Sequence, residues 1–345
     1  MSKKLQDRII STDVELPATT LASSPHVVAD QNVSHIMLWV VGALAPTAIW
    51  AVINMGAVAL VLLFACIAST LSTEWLWNRF ARKPQTLKDG SALLTGLLLA
   101  LALPPRTPWW IAVVAGIVAI ALAKMLFGGL GWNLFNPALV GRAFVTISWA
   151  GVLAEQKVPG GWFRGIEVAA SGKYDAVSGA TRLAVAATDR AASGAYDFSL
   201  RDQWMPLLTR NLEGSLGEVS AGLLILGGLL LIFKGIIDWR IPVGYIGTVA
   251  LLSWAFGSDP VFNVLAGGVL LGAFFMATDY VTSPMTRTGR LIFGCGCGLI
   301  NVVGRFFGPS PESTTWAILF MNGLVPLIDR SLIPRTFGWK GRKRA

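Results

Sequence analysis

Residues 91–127 read SALLTGLLLALALPPRTPWWIAVVAGIVAIALAKMLF, and this stretch decides the fold. A helix rises about 1.5 Å per residue, so roughly 20 apolar residues cross the hydrocarbon core of a bilayer. Trp109–Phe127 meets that length with a single charge, Lys124. Ser91–Leu103 falls short of it and runs into the Pro104-Pro105-Arg106-Thr107-Pro108 turn. A full span preceded by a short one describes a membrane protein with interrupted or half-embedded helices.

Working outward, the same pattern recurs. Ile36–Ile53 and Ala57–Ser72 precede the short segment, with basic residues Arg79, Arg82, Lys83 and Lys88 between. Pro137–Leu153 follows the Gly128–Asn136 loop. Beyond the polar stretch Ala154–Glu213 come Leu216–Phe233, Pro242–Phe256, Val261–Ala277, Leu291–Phe307 and Thr315–Ile328. Hydropathy thus predicts an all-α polytopic membrane protein of about ten spans. Two Gly/Ala-rich segments, Asp89–Gly96 and Gly272–Asp279, interrupt spans at matching places in the two halves, which predicts two related five-helix halves with interrupted helices. The expected divisions are 1–34, a cytoplasmic segment; 35–153, the first half; 154–214, an exported loop; 215–330, the second half; and 331–345, a basic tail.

Composition agrees. Of 345 residues, 54% are hydrophobic and 14% charged, and 14 Trp against 4 Tyr suit aromatic belts at the membrane surfaces. The mean hydropathy is +0.61. A net charge of +9 is the usual mark of a nucleic-acid binder, but here the basic residues are spread over short loops and the tail, which is a topology signal and excludes that partner. With an even number of spans both ends share one side. That side holds Lys3, Lys4, Arg8, the Arg79–Lys88 cluster, Lys234, Arg240, Arg287, Arg290 and the tail, whereas the opposite short loops hold little beyond Arg106 and Arg305. The reading is therefore a multi-pass protein of the cytoplasmic (inner) membrane, in contact with lipid, with both termini cytoplasmic and the 154–214 loop outside. No apolar h-region follows Lys3 and Lys4, so the first span is expected to direct insertion itself.

Several local motifs carry competing readings. Ser215-Leu216-Gly217-Glu218 is either a capping box or a helix N-terminus offered to a phosphate. Gly128–Pro137 lacks the Lys-Ser/Thr of a phosphate-binding loop and reads as a tight turn, with Asn136 as cap and Pro137 at the first helical position. Cys295 and Cys297, two apart on a helix, face different ways; small residues for close helix approach are the better reading of Gly294–Gly298 than a metal site. Lys124 and Arg142 are read as snorkelling to the interface, Asp279 and Asp329 as solvated boundary groups, and His26 and His35 show no ligand spacing.

Asp175-Ala176-Val177-Ser178-Gly179-Ala180-Thr181 lies in the exported loop. Its plain reading is a small-residue turn. It also resembles the flavin-attachment sequence D-x-x-[ST]-G-A-T, whose last threonine is esterified by the phosphate of FMN. Gly179 and Ala180 keep the segment thin enough to enter a modifying enzyme, with Asp175 and Ser178 as recognition or metal-proximal groups.

Together with Asp89–Gly96, Gly128–Gly131, Phe135–Ala138, Ile237–Pro242, Phe275–Asp279, Gly289–Gly294, Met321-Asn322 and Pro326–Asp329, this segment makes the chain resemble the D subunits of the Rnf ion-translocating oxidoreductase complexes. The resemblance implies covalent FMN on Thr181, with Arg182 beside the phosphate or the reduced flavin, and a non-covalent riboflavin to which no residue is assigned. It implies no complete active site on this chain. The implied partners are the other Rnf subunits, including a second FMN-bearing one, and a flavin transferase. The complex would pass electrons between ferredoxin and NAD while moving Na⁺ or H⁺, with the ion path near Thr95, Thr278 and Asp279. The sibling family, B subunits of the Na⁺-translocating NADH:quinone reductases, carries a longer N-terminal segment. A small-solute channel remains the alternative of another class.

Overall fold

In the computed structural model, which describes residues 32–153, 204–209, 214–308 and 313–332, every apolar segment expected from hydropathy is helical. The helices are α1 (Val33–Met55), α2 (Ala57–Phe80), α3 (Ser91–Ala102), α4 (Trp109–Ile120), α5 (Pro137–Ser148), α6 (Ala150–Leu153), α7 (Trp204–Thr209), α8 (Ala221–Phe233), α9 (Arg240–Ala255), α10 (Pro260–Leu265), α11 (Val269–Leu271), α12 (Arg287–Phe307) and α13 (Thr314–Ser331). No strand occurs among the described residues. By length and apolar composition α1, α2 and α12 are each sufficient to cross a bilayer. The shorter apolar helices, α3, α4 with its extension, α5 and α8, run from 12 to 17 residues.

Three expectations about segment ends need correction. The second span does not end at Ser72 but continues through Glu74 to Phe80. The fourth passes at Ala121 into a π-helical turn, Ala121–Met125. The eighth is in pieces: α10 stops at Leu265, Gly267 and Gly268 turn left-handed, and α11 leads into a second π turn, Gly272–Met276.

Hydrogen bonds sort the described helices into two ends. At one, the Leu216 N–H reaches Leu103 O at 3.1 Å. There Trp50 Nε1 donates to Thr209 O at 2.9 Å and Trp204 Nε1 donates to Asp259 Oδ2 at 2.8 Å. At the other end Asn136 Nδ2 donates to Met276 O at 3.2 Å and Arg290 donates to Asp238 Oδ2 at 2.9 Å. Helices α1, α3 and α8 run between the two ends. Large apolar side chains such as Phe64, Phe80, Leu226 and Phe233 stand exposed on the outside, as expected of a surface wetted by lipid.

Among the described helices α9 and α12 pack closely. A Cβ on Gly294 would lie 2.5 Å from Ile241 O, and one on Gly298 would lie 2.8 Å from Tyr245 O. The glycines of the Gly294–Gly298 run therefore serve close helix approach, as read from the sequence, and Cys297 is fully buried between them. Without a hydrophobic driving force between helices in lipid, such backbone contact carries much of the pairing. Gly294→Ala is expected to force α12 away from α9 and cost about 1–3 kcal/mol. Thermal unfolding of the purified protein, followed by loss of the monodisperse peak, measures it; an unchanged midpoint would show that this contact yields freely.

Candidate functional site

Glu74 sits near the end of α2 with no exposed surface, and a lone carboxylate there is costly in an apolar interior. Lys124 supplies the counter-charge from the π turn after α4, its Nζ 2.7 Å from Glu74 Oε2, with exposures of 2% and 0%. The same ammonium donates to Ser91 Oγ at 2.6 Å, the first residue of α3. Thr86 donates to Glu74 Oε1 at 2.5 Å and accepts from Asn78 Nδ2 at 3.0 Å. Asp89 Oδ1 accepts from the Ser91 backbone at 2.8 Å, fixing the turn through the left-handed Gly90. Lys124 therefore does not snorkel, and Arg142, 9% exposed on α5, is buried as well.

Lys124 and Ser91 also line a cavity, which offers about 70 Å³ to the centres of water-sized molecules. Its walls come from the start of α1, the start of α3, the Gly128–Pro137 turn, the end of α8 and the segment after the second π turn. Leu94, Leu98, Phe274 and Phe275 make it mainly apolar; Thr95, Asn133, Thr278 and Asp279 add polar groups. The structure thus brings Thr95, Thr278 and Asp279, read separately from the sequence, to one place. Asp279 is half-buried there and accepts from Thr282 Oγ1 at 3.1 Å, so its solvated reading is corrected. Asp329 accepts from the Met285 N–H at 3.1 Å and stands apart from the cavity lining.

The Gly128–Pro137 turn follows its sequence reading. Asn136 Oδ1 caps α5 by accepting from the N–H groups of Ala138 at 3.1 Å and Leu139 at 3.4 Å. Asn133, 5% exposed, lines the cavity, and its Oδ1 is buried without a hydrogen-bond partner among the described residues. A buried acceptor left open costs about 1–3 kcal/mol, so it marks a place for a donor.

The capping box at Ser215 does not form. Ser215 Oγ donates to Glu218 Oε1 at 2.7 Å, and Glu218 Oε2 takes the N–H of Gly267 at 3.1 Å, inside the break between α10 and α11. The cap of α8 is Ser220, whose Oγ accepts from Leu223 N. The same break is held by Arg305, which donates to Asn263 O at 2.5 Å and Ala266 O at 2.8 Å, and by Thr314 Oγ1, which donates to Gly267 O at 2.8 Å. Asp175, Ser178, Gly179, Ala180, Thr181 and Arg182 lie outside the described residues. The chain re-enters them at α7, whose Trp204 and Thr209 are tied to Asp259 and Trp50. Trp50 lies ten residues beyond the cavity-lining Val40 on α1, roughly 15 Å along the helix. The re-entry point and the cavity therefore occupy opposite ends of the described helices.

Sequence reading misses Glu74 because hydropathy alone ends the second span at Ser72, two residues short of it. The signal is there: an acid within a 24-residue apolar helix. Removing one partner of a buried pair strands the other, which typically costs 3–5 kcal/mol. Lys124→Met is expected to destabilise the purified protein by about that amount, and Lys124→Met with Glu74→Leu to recover most of it. Equal melting temperatures for wild type and the single variant would show the pair to be idle.

A family model described as "NQR2, RnfD, RnfE family" matches residues 20–338. Among curated proteins, the chain is 44% identical to the D subunit of the proton-translocating ferredoxin:NAD(+) oxidoreductase complex of Clostridium ljungdahlii, over 92% of this chain and 96% of that one. It is 42% identical to the D subunit of the Na(+)-translocating ferredoxin:NAD(+) oxidoreductase complex of Acetobacterium woodii, over 92% and 95%. It is 41% identical to the D subunit of the ion-translocating oxidoreductase complex of Stutzerimonas stutzeri, over 90% and 94%.

Proposed function

The chain belongs to the NQR2, RnfD, RnfE family, and we propose that it is the D-type membrane subunit of an Rnf complex, coupling electron transfer between ferredoxin and NAD to movement of Na⁺ or H⁺. The observation that carries this reading is likeness along nearly the full length of both chains, including the membrane segments that build the cavity. The relatives' names include both a proton- and a Na⁺-translocating complex, so likeness leaves the ion open. Likeness to D subunits favours this reading over the B subunit of a quinone reductase, and an electron carrier on the chain would set it apart from a channel.

Two carriers are proposed. Thr181 Oγ holds FMN through its phosphate, attached by a flavin transferase, with Arg182 beside the phosphate. The second is a non-covalent riboflavin in the cavity. The fit rests on the unpaired Asn133 Oδ1, an acceptor for a ring N–H, and on apolar walls at Leu94, Leu98 and Phe274 suited to a flat ring. Flavin, when bound, supplies the electron chemistry. The chain supplies position: Asn133 orients the ring edge, and the apolar walls exclude water. Other Rnf subunits, one with its own FMN, pass the electrons on, so no complete active site stands on this chain. The ion path is proposed past the breaks, near Thr95, Thr278 and Asp279.

Cavity and loop re-entry at opposite ends would place the two flavins toward opposite membrane faces, the cavity toward the cytoplasm by the positive-inside rule. In a denaturing gel of protein co-expressed with a flavin transferase, a wild-type band should fluoresce and Thr181→Ala should be dark. A dark wild-type band beside a labelled control would sink the attachment. Asn133→Ala should abolish acid-extractable flavin and leave the fluorescent band; retained extractable flavin would remove Asn133 from the site. Asp279→Asn with flavin intact should slow ion uptake into vesicles, and unchanged uptake would take Asp279 off the path.

A further inference from the structure

The Lys124–Glu74 pair is oriented. Lys124 and Ser91 line the cavity, whereas Glu74 is absent from its lining and stands behind them, hydrogen-bonded to Thr86. The positive member of the buried pair thus borders the same cavity as the unpaired Asn133 Oδ1, and the negative member does not. A simple structural ion pair has no reason to present one charge to a cavity. Lys124 also sits on a π turn, a helix irregularity frequent at functional sites.

We propose that Lys124 is a positioning residue that sets the reduction potential of the cavity's electron carrier, with Glu74 holding its charge in check. The inference rests on the reading that a flavin occupies the cavity. An electron entering that site without a proton adds one negative charge in a poorly screened interior, and the facing ammonium offsets it. The electron comes from the donors of the complex, and a proton taken up later from water restores neutrality. As negative charge grows, the ammonium is drawn from Glu74 toward the cavity. Neutralising Glu74 therefore leaves more positive charge facing the carrier and makes reduction easier. Neutralising both residues removes the oriented dipole and makes reduction harder.

The test uses the full chain in nanodiscs, expressed without a flavin transferase so that its only flavin is non-covalent. Spectroelectrochemical titration compares wild type, Glu74→Gln and the double variant Glu74→Gln/Lys124→Gln. Gln keeps hydrogen bonds to Thr86 and Ser91 within reach, and the double variant removes the unpaired charge should the single one fold poorly. The expected order of midpoint potentials is Glu74→Gln highest, wild type between, double variant lowest, at similar flavin content. Equal potentials in chains that hold flavin would overturn the inference and leave the cavity assignment standing. A wild-type chain with no extractable flavin, even when supplied with riboflavin, would overturn both.

Discussion

Irregular backbone inside a bilayer exposes N–H and C=O groups that no lipid can satisfy, and among the described residues two such places lie beside buried charge: the turn at Gly90 that opens α3 and the break between α10 and α11. The packing of the helices around them depends on how those places are closed. At the first, Gly90 turns left-handed, Asp89 holds the Ser91 N–H, and Lys124 ties Ser91 to Glu74. At the second, Gly267 and Gly268 turn left-handed; Glu218 takes the Gly267 N–H while Arg305 and Thr314 donate to carbonyls around it. Each break thus has one acid and one base from neighbouring helices. Burying these charges is costly, because each leaves water; the first place, at Ser91 and Lys124, borders the cavity, and the second does not.

That constraint explains what is legible in the sequence. Apolar runs place the described helices well, since a bilayer selects length and hydropathy directly. The Asn136-Pro137 start of α5 is legible because its cap is local: acceptor and N–H groups lie within three residues. The partners that close the breaks are not. Lys124 and Glu74 are 50 residues apart, and nothing in either neighbourhood names the other. An isolated Lys near a span end has snorkelling as its ordinary outcome. Packing reverses that outcome because Glu74 and Ser91 hold the Lys124 ammonium inside. Ser215 and Glu218 show the same limit, with a matching local pattern overridden where Gly267 claims the carboxylate.

The site residues divide in the same way. Thr95, Thr278 and Asp279 stand out through Gly/Ala-rich interruptions, a signal about backbone irregularity, and irregular backbone in a membrane is where polar cavities form. They therefore converge. Asn133 is in view as part of a turn, but its role needs an observation that sequence does not contain, an acceptor buried and unpaired. Thr181 is the reverse case: the attachment proposed there would depend on a short linear segment read by another enzyme, and such a segment is legible without the fold.

The two ends of the helices then set a physical requirement. The cavity and the point where the chain re-enters at Trp204 are separated by roughly 15 Å along α1, so the two proposed carriers would stand toward different ends of it. An electron passing between them moves charge through a low-dielectric interior, where an uncompensated charge is costly. Compensation must come from groups already buried, from a proton, or from a cation following the electron. The cavity is lined by one buried lysine, Lys124, and one half-buried carboxylate, Asp279. On the proposed reading, charge added to the cavity would change the balance for both, linking electron arrival to cation affinity at Asp279. Coupling of redox state to ion movement, as proposed, would then draw on charges already buried at this site, the Lys124 ammonium and the Asp279 carboxylate.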